Sequence, residues 1–440
     1  MSAGAAEPQW FGQPRGLTIL FLTQMWEIFS YYGMRALLVY YMTKQLLMGQ
    51  QQASLVYGLY AATVYFTPIL GGVVSDRWLG RRRAVIIGGA VMAIGHFLMA
   101  SESLFYLALA AIALGNGLFL PSLPSQVDGL YARRDPRRGS AYNIYYVGIN
   151  LGGLLAPLVC GTLGELYGWH YGFGAAGIGM LLGLAVYVLG GRYLPAGERR
   201  GPVEAAGRAG DAGEAGEAGM ALRLRVLLAI GLCVMLFRGA YEQVGNTIAL
   251  WADTGIDRSL GALTIPMTWF QALNPLLVIA LTPVLVAHWS RQARDGREPG
   301  SARKMALGAG GVALAYLLLA AVSAGTAAGQ TSWLWLALFF LVLTAGELFI
   351  LPVGLGLFAR LAPSRHRATT VAAWFFAAFG GNLLAGLLGM AWTALGPAAF
   401  FALMAAVAGS AGVLLGLLDG SARRIEAEAR PAADAAVARV

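Results

Sequence analysis

Long runs of Leu, Ala, Val, Phe and Gly follow one another along the chain, separated by short polar stretches, in place of the alternation that marks an amphipathic element. A helix needs about 20 such residues to cross a bilayer. Twelve runs reach that length, near 17–46, 53–75, 84–100, 103–131, 139–165, 171–193, 223–252, 260–289, 304–323, 332–361, 367–394 and 397–418. Open strands would leave backbone groups unpaired in lipid, so the pattern predicts an all-α bundle of twelve transmembrane helices. The first run is long and lacks a basic leader and a cleavage site, and is expected to stay as a helix.

The polar stretches orient these spans. All but Arg35, Lys44, Arg238 and Arg258 of the 31 Lys and Arg fall in alternate connections counted from the amino terminus, or in the tails. Basic loops stay cytoplasmic, so both termini are expected there. The longest polar stretch, 195–222, is rich in Gly, Ala and acids and too poor in bulky apolar residues to bury a core. It divides the chain into a six-helix bundle at 1–194, a flexible cytoplasmic linker at 195–222, a second six-helix bundle at 223–419, and a cytoplasmic tail at 420–440, read as a frayed amphipathic segment. Two six-helix halves around a linker resemble the layout of a major facilitator transporter, which holds its substrate between them.

Composition agrees and removes other classes. The chain is 58% hydrophobic and 12% charged, where a soluble domain carries about 25% charged residues. Its net charge of +9 is spread over every cytoplasmic loop, a topology signal and not a nucleic-acid footprint. Cys160 and Cys233 lie in apolar runs, so neither a disulfide framework nor a cysteine metal site is expected. His170, His288 and His366 are assigned to loops, too scattered to hold a metal, and His96 to a packed position in the third span. Phosphate-binding, zinc-hydrolase and serine-hydrolase motifs are lacking, so the chain reads as neither an ATP-driven pump nor an enzyme.

Five ionisable residues sit deep in the runs: Glu27 and Arg35 in the first, Arg238 and Glu242 in the seventh, Glu347 in the tenth. At mid-bilayer a charge costs about 2.5–3.5 kcal/mol on insertion scales, so such residues face water or one another. Arg238 and Glu242, four apart, also suit a fixed ion pair. Tyr31, Tyr32, Tyr65, Asn150, Asn246, Trp269, Gln271 and Asn274 lie at similar depth, a set able to hold a small zwitterion by stacking and hydrogen bonds. Pro68, Pro121, Pro157, Pro275, Pro283 and Pro352 interrupt the spans and are expected to bend helices.

Five segments resemble the proton-dependent oligopeptide transporters, the peptide branch of the major facilitator superfamily. They are W-E-I-F-S-Y-Y-G-M-R-A from Trp26, G-G-V-V-S-D-R-W-L-G-R-R-R from Gly71, Y-N-I-Y-Y-V-G-I-N-L-G from Tyr142, I-P-M-T-W-F-Q-A-L-N-P from Ile265 and G-E-L-F-I-L-P-V-G-L from Gly346. The resemblance implies a major facilitator fold and a substrate site lined by Tyr31, Tyr32, Arg35, Tyr65, Asn150, Asn274, Glu347 and Trp374, with Glu347 receiving the peptide's amino end. It also implies proton coupling through Glu27, Glu242 and Glu347, cytoplasmic gating at Asp76 and Arg77, and no cofactor beyond the coupled proton.

Departures from the family pattern are equally specific. Gln24 and Ile28 stand where the first motif has a glutamate and an arginine, Leu120 where the fourth span has a lysine, and Arg238 where the seventh usually has a tryptophan. The substrate carboxylate is therefore assigned to Arg35 and Arg238. The expectation is a monomeric bacterial inner-membrane symporter that imports di- and tripeptides, or a related small zwitterion, with protons by alternating access. The alternative is a relative that carries a non-peptide solute or has lost coupling.

Overall fold

The computed structural model describes residues 9–10, 12–132, 135, 137–195, 217–361 and 367–438. Of the sequence expectations, linker residues 196–216, Arg133, Arg134, Arg365 and His366 lie outside the described residues.

Helix dominates. The long elements are Arg15–Tyr40, Gln50–Val74, Arg81–Leu98, Phe105–Ser122, Arg138–Ala156, Trp169–Leu189, Glu217–Tyr241, Leu273–Arg294, Ser301–Gly325, Trp333–Leu348, Arg367–Gly389 and Trp392–Ala438. Among the described residues, nine helical stretches are long and apolar enough to cross a membrane, and Ala373–Gly389 is a shorter apolar helix. Arg15–Tyr40 and Arg81–Leu98 are not among the nine; the first carries Arg15, Glu27 and Arg35, and the second spends its first turn on Arg81, Arg82 and Arg83. The chain is thus a multi-pass helical membrane protein. The sole β structure among the described residues is three two-stranded pairs, Gln9–Trp10 with Gln13–Pro14, Ile256–Asp257 with Thr331–Ser332, and Ser259–Leu260 with Leu263–Thr264.

Prolines and wide turns shape the helices. Pro68, Pro121 and Pro283 lie inside helices, where each lacks the N–H that would bond one turn back. Pro157 opens the wide π-type turn Pro157–Gly161, and a similar turn at Ser75–Leu79 ends on Gly80, whose φ of 75° suits a residue without a side chain. His288 is helical, correcting its assignment to a loop, because the apolar periodicity around it continues through it; His170 stands second in Trp169–Leu189, directly after Gly168 (φ 118°), where that helix starts. The tail is also more regular than expected. Helix runs from Trp392 to Ala438 with a break at Gly396 (φ 72°), because Asp419 pairs with Arg423 one turn on and Glu426 accepts from Ser301 at 2.6 Å and from Arg360 at 3.3 Å.

The described chain forms two compact units. Unit 1 comprises Met1–Leu47, Thr63–Gly201 and Ile265–Leu276; unit 2 comprises Met48–Ala62, Pro202–Thr264 and Leu277–Val440. Each therefore holds a short stretch from the other half of the sequence. Within unit 1 the core gathers Leu17, Leu20, Met92, Phe119, Met180 and Tyr187 from several helices. Glycine sets the helix spacing: a Cβ on Gly71 would stand 2.0 Å from the Gly117 carbonyl oxygen, and one on Gly152 2.2 Å from that of Met25. Unit 2 repeats the device where Gly308 and Gly346 face each other's backbone. Small residues at such crossings let backbones touch, which is how helices associate in lipid, where burial of apolar surface drives nothing.

Candidate functional site

In unit 1 the buried polar groups begin on the first helix. Glu27 is 1% exposed, and its Oε2 accepts from Gln24 Nε2 at 2.7 Å. The Tyr145 hydroxyl, from the helix Arg138–Ala156, donates to Gln24 Oε1. A neutral amide thus bridges a carboxyl and a phenol, one turn of helix setting the first contact and the crossing of two helices the second. Gln24 can satisfy Glu27 because an amide offers donors on one side and an acceptor on the other.

One turn further along, Tyr31 and Tyr32 meet edge to face at 5.5 Å, and the Arg35 guanidinium lies 5.7 Å from the Tyr32 ring centre. A cation over an aromatic face keeps its charge while shedding part of its water. Tyr65 and Asn274, both half-buried, belong to the same unit. Asn150 is buried, and its amide donates to the Tyr146 carbonyl within its own helix at 3.0 Å.

Unit 2 supplies charge of both signs. Arg238 Nη1 donates to Glu242 Oε1 at 2.8 Å, with both side chains buried. The pair spans the point where the helix Glu217–Tyr241 tightens into the turn Glu242–Gly245. Beside it, the Tyr316 hydroxyl donates to the Ala240 carbonyl at 2.7 Å. Glu347, 9% exposed, sits at the end of Trp333–Leu348, before a break that restarts as Leu351–Leu361. Trp374 is buried edge-on against Phe358 at 5.4 Å and closes over Gly354.

Asn246, Gln271 and Trp269 are engaged in hydrogen bonds inside their own units. Asn246 is fully buried in a network with Gln243 and Ser54: its Nδ2 donates to Gln243 Oε1 at 3.3 Å and its Oδ1 accepts from Ser54 at 2.9 Å. Gln243 in turn donates to the Ala385 carbonyl at 2.8 Å. Gln271 donates to the Ala36 carbonyl at 3.2 Å, and Trp269 to Thr162 Oγ1 at 2.7 Å, so both fasten unit 1 together. Asp76 and Arg77 are exposed, on the wide turn whose Ser75 pairs with Ser122 at 2.9 Å. His96 is buried, as expected for a packed histidine. Among the described residues no group of His, Cys, Asp and Glu could hold a metal ion.

Sequence reasoning missed Tyr145 and Glu165. Tyr145 stands inside the third motif, and its reach to Gln24 depends on the crossing of two helices. Glu165 ends the fifth apolar run, where a charge reads as an ordinary helix end.

The model of the POT family matches residues 82–203 and 221–395. A peptide transporter of Yersinia enterocolitica subsp. palearctica, YePEPT, is 33% identical, over 86% of this chain and 88% of its own length. A di-/tripeptide transporter of Lactococcus lactis subsp. cremoris is 34% identical, over 84% of this chain and 88% of its own. A crystal structure of a POT peptide transporter with sulfate bound superposes with a TM-score of 0.87 at 29% identity, covering 96% of this chain and 98% of that one. The family model alone reaches into both halves of the sequence, and the chain belongs to the POT family of membrane transporters.

Proposed function

We propose that the chain is a twelve-helix, two-halved secondary transporter of the bacterial inner membrane that imports di- and tripeptides with protons by alternating access. The observation that carries this reading is the placement of charge inside apolar helices: the buried Arg238–Glu242 pair, Glu27 on Gln24 and Glu347, with the half-buried Arg35 against Tyr32. A bilayer-spanning helix bears such a cost where a charged guest or a moving proton repays it. The similarity to transporters of di- and tripeptides supports a peptide as that guest.

Tyr31, Tyr32, Tyr65, Asn150, Asn274 and Trp374 then line the substrate site. Glu347 meets the peptide amine, and Arg35 with Arg238 meets its carboxylate. Charge-assisted hydrogen bonds at both ends make chain length and free termini the features recognised, leaving side chains to loosely fitting aromatic walls. Glu27, Glu242 and Glu347 carry the coupled proton. Protonation of Glu242 weakens its ion pair with Arg238, which ties proton loading to the cation assigned to the substrate. Asp76 and Arg77 act at the cytoplasmic gate, both termini are cytoplasmic, and the monomer is the working unit. Each charge moved inward gains about 2.3 kcal/mol per 100 mV, near fiftyfold accumulation.

Uptake of labelled di- and tripeptides into proteoliposomes, with and without an inward proton gradient, tests the proposal. Saturable uptake that rises with the gradient is expected. Uptake indifferent to the gradient removes the coupling, and no uptake of or competition by any peptide removes the substrate class.

A further inference from the structure

Ile265–Leu276 belongs by sequence to the second half of the chain, yet it packs in unit 1. The turn Met267–Ala272 runs directly into the helix Leu273–Arg294. The leading N–H groups of such a helical run have no partner within it, and an N-cap side chain normally supplies one. Here the cap position is Pro266, which makes no side-chain cap bond. The missing acceptor comes from about a hundred residues upstream. Glu165 Oε2 accepts from the Met267 N–H at 2.9 Å, and its Oε1 accepts from the Thr268 N–H at 2.9 Å and from the Thr268 hydroxyl at 2.5 Å.

The contact is built on both sides. The wide turn Pro157–Gly161 brings Gly161 so close to Thr268 that a Cβ there would stand 2.1 Å from Thr268 Oγ1. Trp269 Nε1 donates to Thr162 at 2.7 Å, and Gln271 to the Ala36 carbonyl at 3.2 Å. Unit 2 contains the reciprocal stretch, Met48–Ala62, held by neutral groups: Gln50 donates to the Gly389 carbonyl at 2.8 Å, and Ser54 to Asn246 at 2.9 Å. Both exchanged stretches start helices that, in the proposed orientation, begin at the extracellular face.

We infer that Glu165 is a positioning residue of the transport cycle: its carboxylate is the latch that holds the start of the helix Leu273–Arg294 onto the first half, and the latch releases when the extracellular side opens. The inference rests on the alternating-access reading. In that cycle the two halves of the sequence part at the extracellular end, so Ile265–Leu276 leaves unit 1 and the three hydrogen bonds to Glu165 break. Bonds to an ionised acceptor at the positive end of a helical run are stronger than neutral ones, so this latch weighs heavily in the balance of the two states. Weakening it enlarges the outward-open fraction, which lowers the apparent half-saturation for external substrate.

The test uses the full chain with Cys160→Ala and Cys233→Ala and one reporter, Ala272→Cys, at a position 4% exposed on the latched turn. In right-side-out membrane vesicles a membrane-impermeant thiosulfonate labels this cysteine slowly while Glu165 is present. Glu165→Ala is expected to speed labelling at least tenfold, Glu165→Gln, which keeps one acceptor oxygen, by less, and Thr268→Ala severalfold. Glu165→Gln is also expected to lower the external half-saturation for dipeptide severalfold, a change that a merely structural role would not produce. Should Glu165→Ala fail to fold, Glu165→Gln and Thr268→Ala decide. Labelling rates equal to the parent's in the folded variants overturn the latch. Labelling needs no substrate, so a chain that takes up no peptide still gives this answer, and the two readings fail separately.

Discussion

Replacing Glu242 by Gln removes from Arg238 a carboxylate that lies 2.8 Å away with 2% of its side chain exposed. Breaking a buried pair by removing one partner costs about 3–5 kcal/mol, far more than a surface pair of the same geometry is worth. Unfolding entropy of about 2.1 cal/mol/K per residue gives about 0.9 kcal/mol/K for 440 residues, so the loss corresponds to a fall in melting temperature of about 3–5 °C. Arg238→Met removes the cation of the pair instead and should cost a similar amount. The double variant Arg238→Met with Glu242→Leu removes both charges at roughly constant volume and should recover most of the loss, because an apolar replacement for a buried pair is commonly neutral or better. The assay is thermal unfolding of purified protein in detergent, followed by size-exclusion fluorescence, as a double-mutant cycle. A coupling of at least about 2 kcal/mol is expected. Single variants that melt within 1 °C of the parent, or a double variant that melts at the sum of the two losses, would refute the argument that the two charges sustain each other.

Three further outcomes follow from named contacts. Gln24→Glu turns the donor 2.7 Å from Glu27 into a second carboxyl in a buried site; gradient-driven uptake should fall at least tenfold, and Ile28→Arg added to it, placing a cation on the next turn of the same helix, should restore part of it. Gly152→Ala presses a methyl group to 2.2 Å from the Met25 carbonyl oxygen; overpacking of this kind costs about 1–3 kcal/mol, a drop of about 1–3 °C on the entropy above. In the loop before Arg138–Ala156, the Arg137 side chain and backbone N–H bond Asp135 and hold its carboxyl below the ordinary aspartate value. A lowered folded value means the contribution is present throughout neutral pH and lost only as acid passes through that lowered value. Asp135→Asn should therefore raise proteolysis of the loop equally at pH 5.5 and pH 8, and a larger effect at one of them would contradict the assignment.

The order of apolar runs, the basic loops and the motif residues were legible because hydropathy and charge are local properties of the chain. The burial of Glu27, Arg238, Glu242 and Glu347 was legible too, since each interrupts a run that lipid or protein must cover. The i, i+4 pair could be read from spacing alone, because helix geometry places such residues side by side. Helical continuity through His288 and the tail was not, because both are polar where they stand, while periodicity decided the structure at His288 and distant partners at Ser301 and Arg360 that of the tail.

What the sequence by itself determined, then, is that the chain spans a membrane as helices, which segments carry its charges, and which family those segments resemble. Tertiary structure alone decided that Gln24 would bridge Glu27 to Tyr145, that Asn246 would be absorbed into a buried network, that stretches 48–62 and 265–276 would each pack with the opposite half, and that Glu165 would cap a helix a hundred residues away. The reason is physical. Lipid-facing propensity is written residue by residue, whereas a hydrogen bond between helices depends on how closely their backbones approach and at which rotation, and both are set by where glycines such as Gly152 and Gly161 meet a neighbour's backbone or side chain.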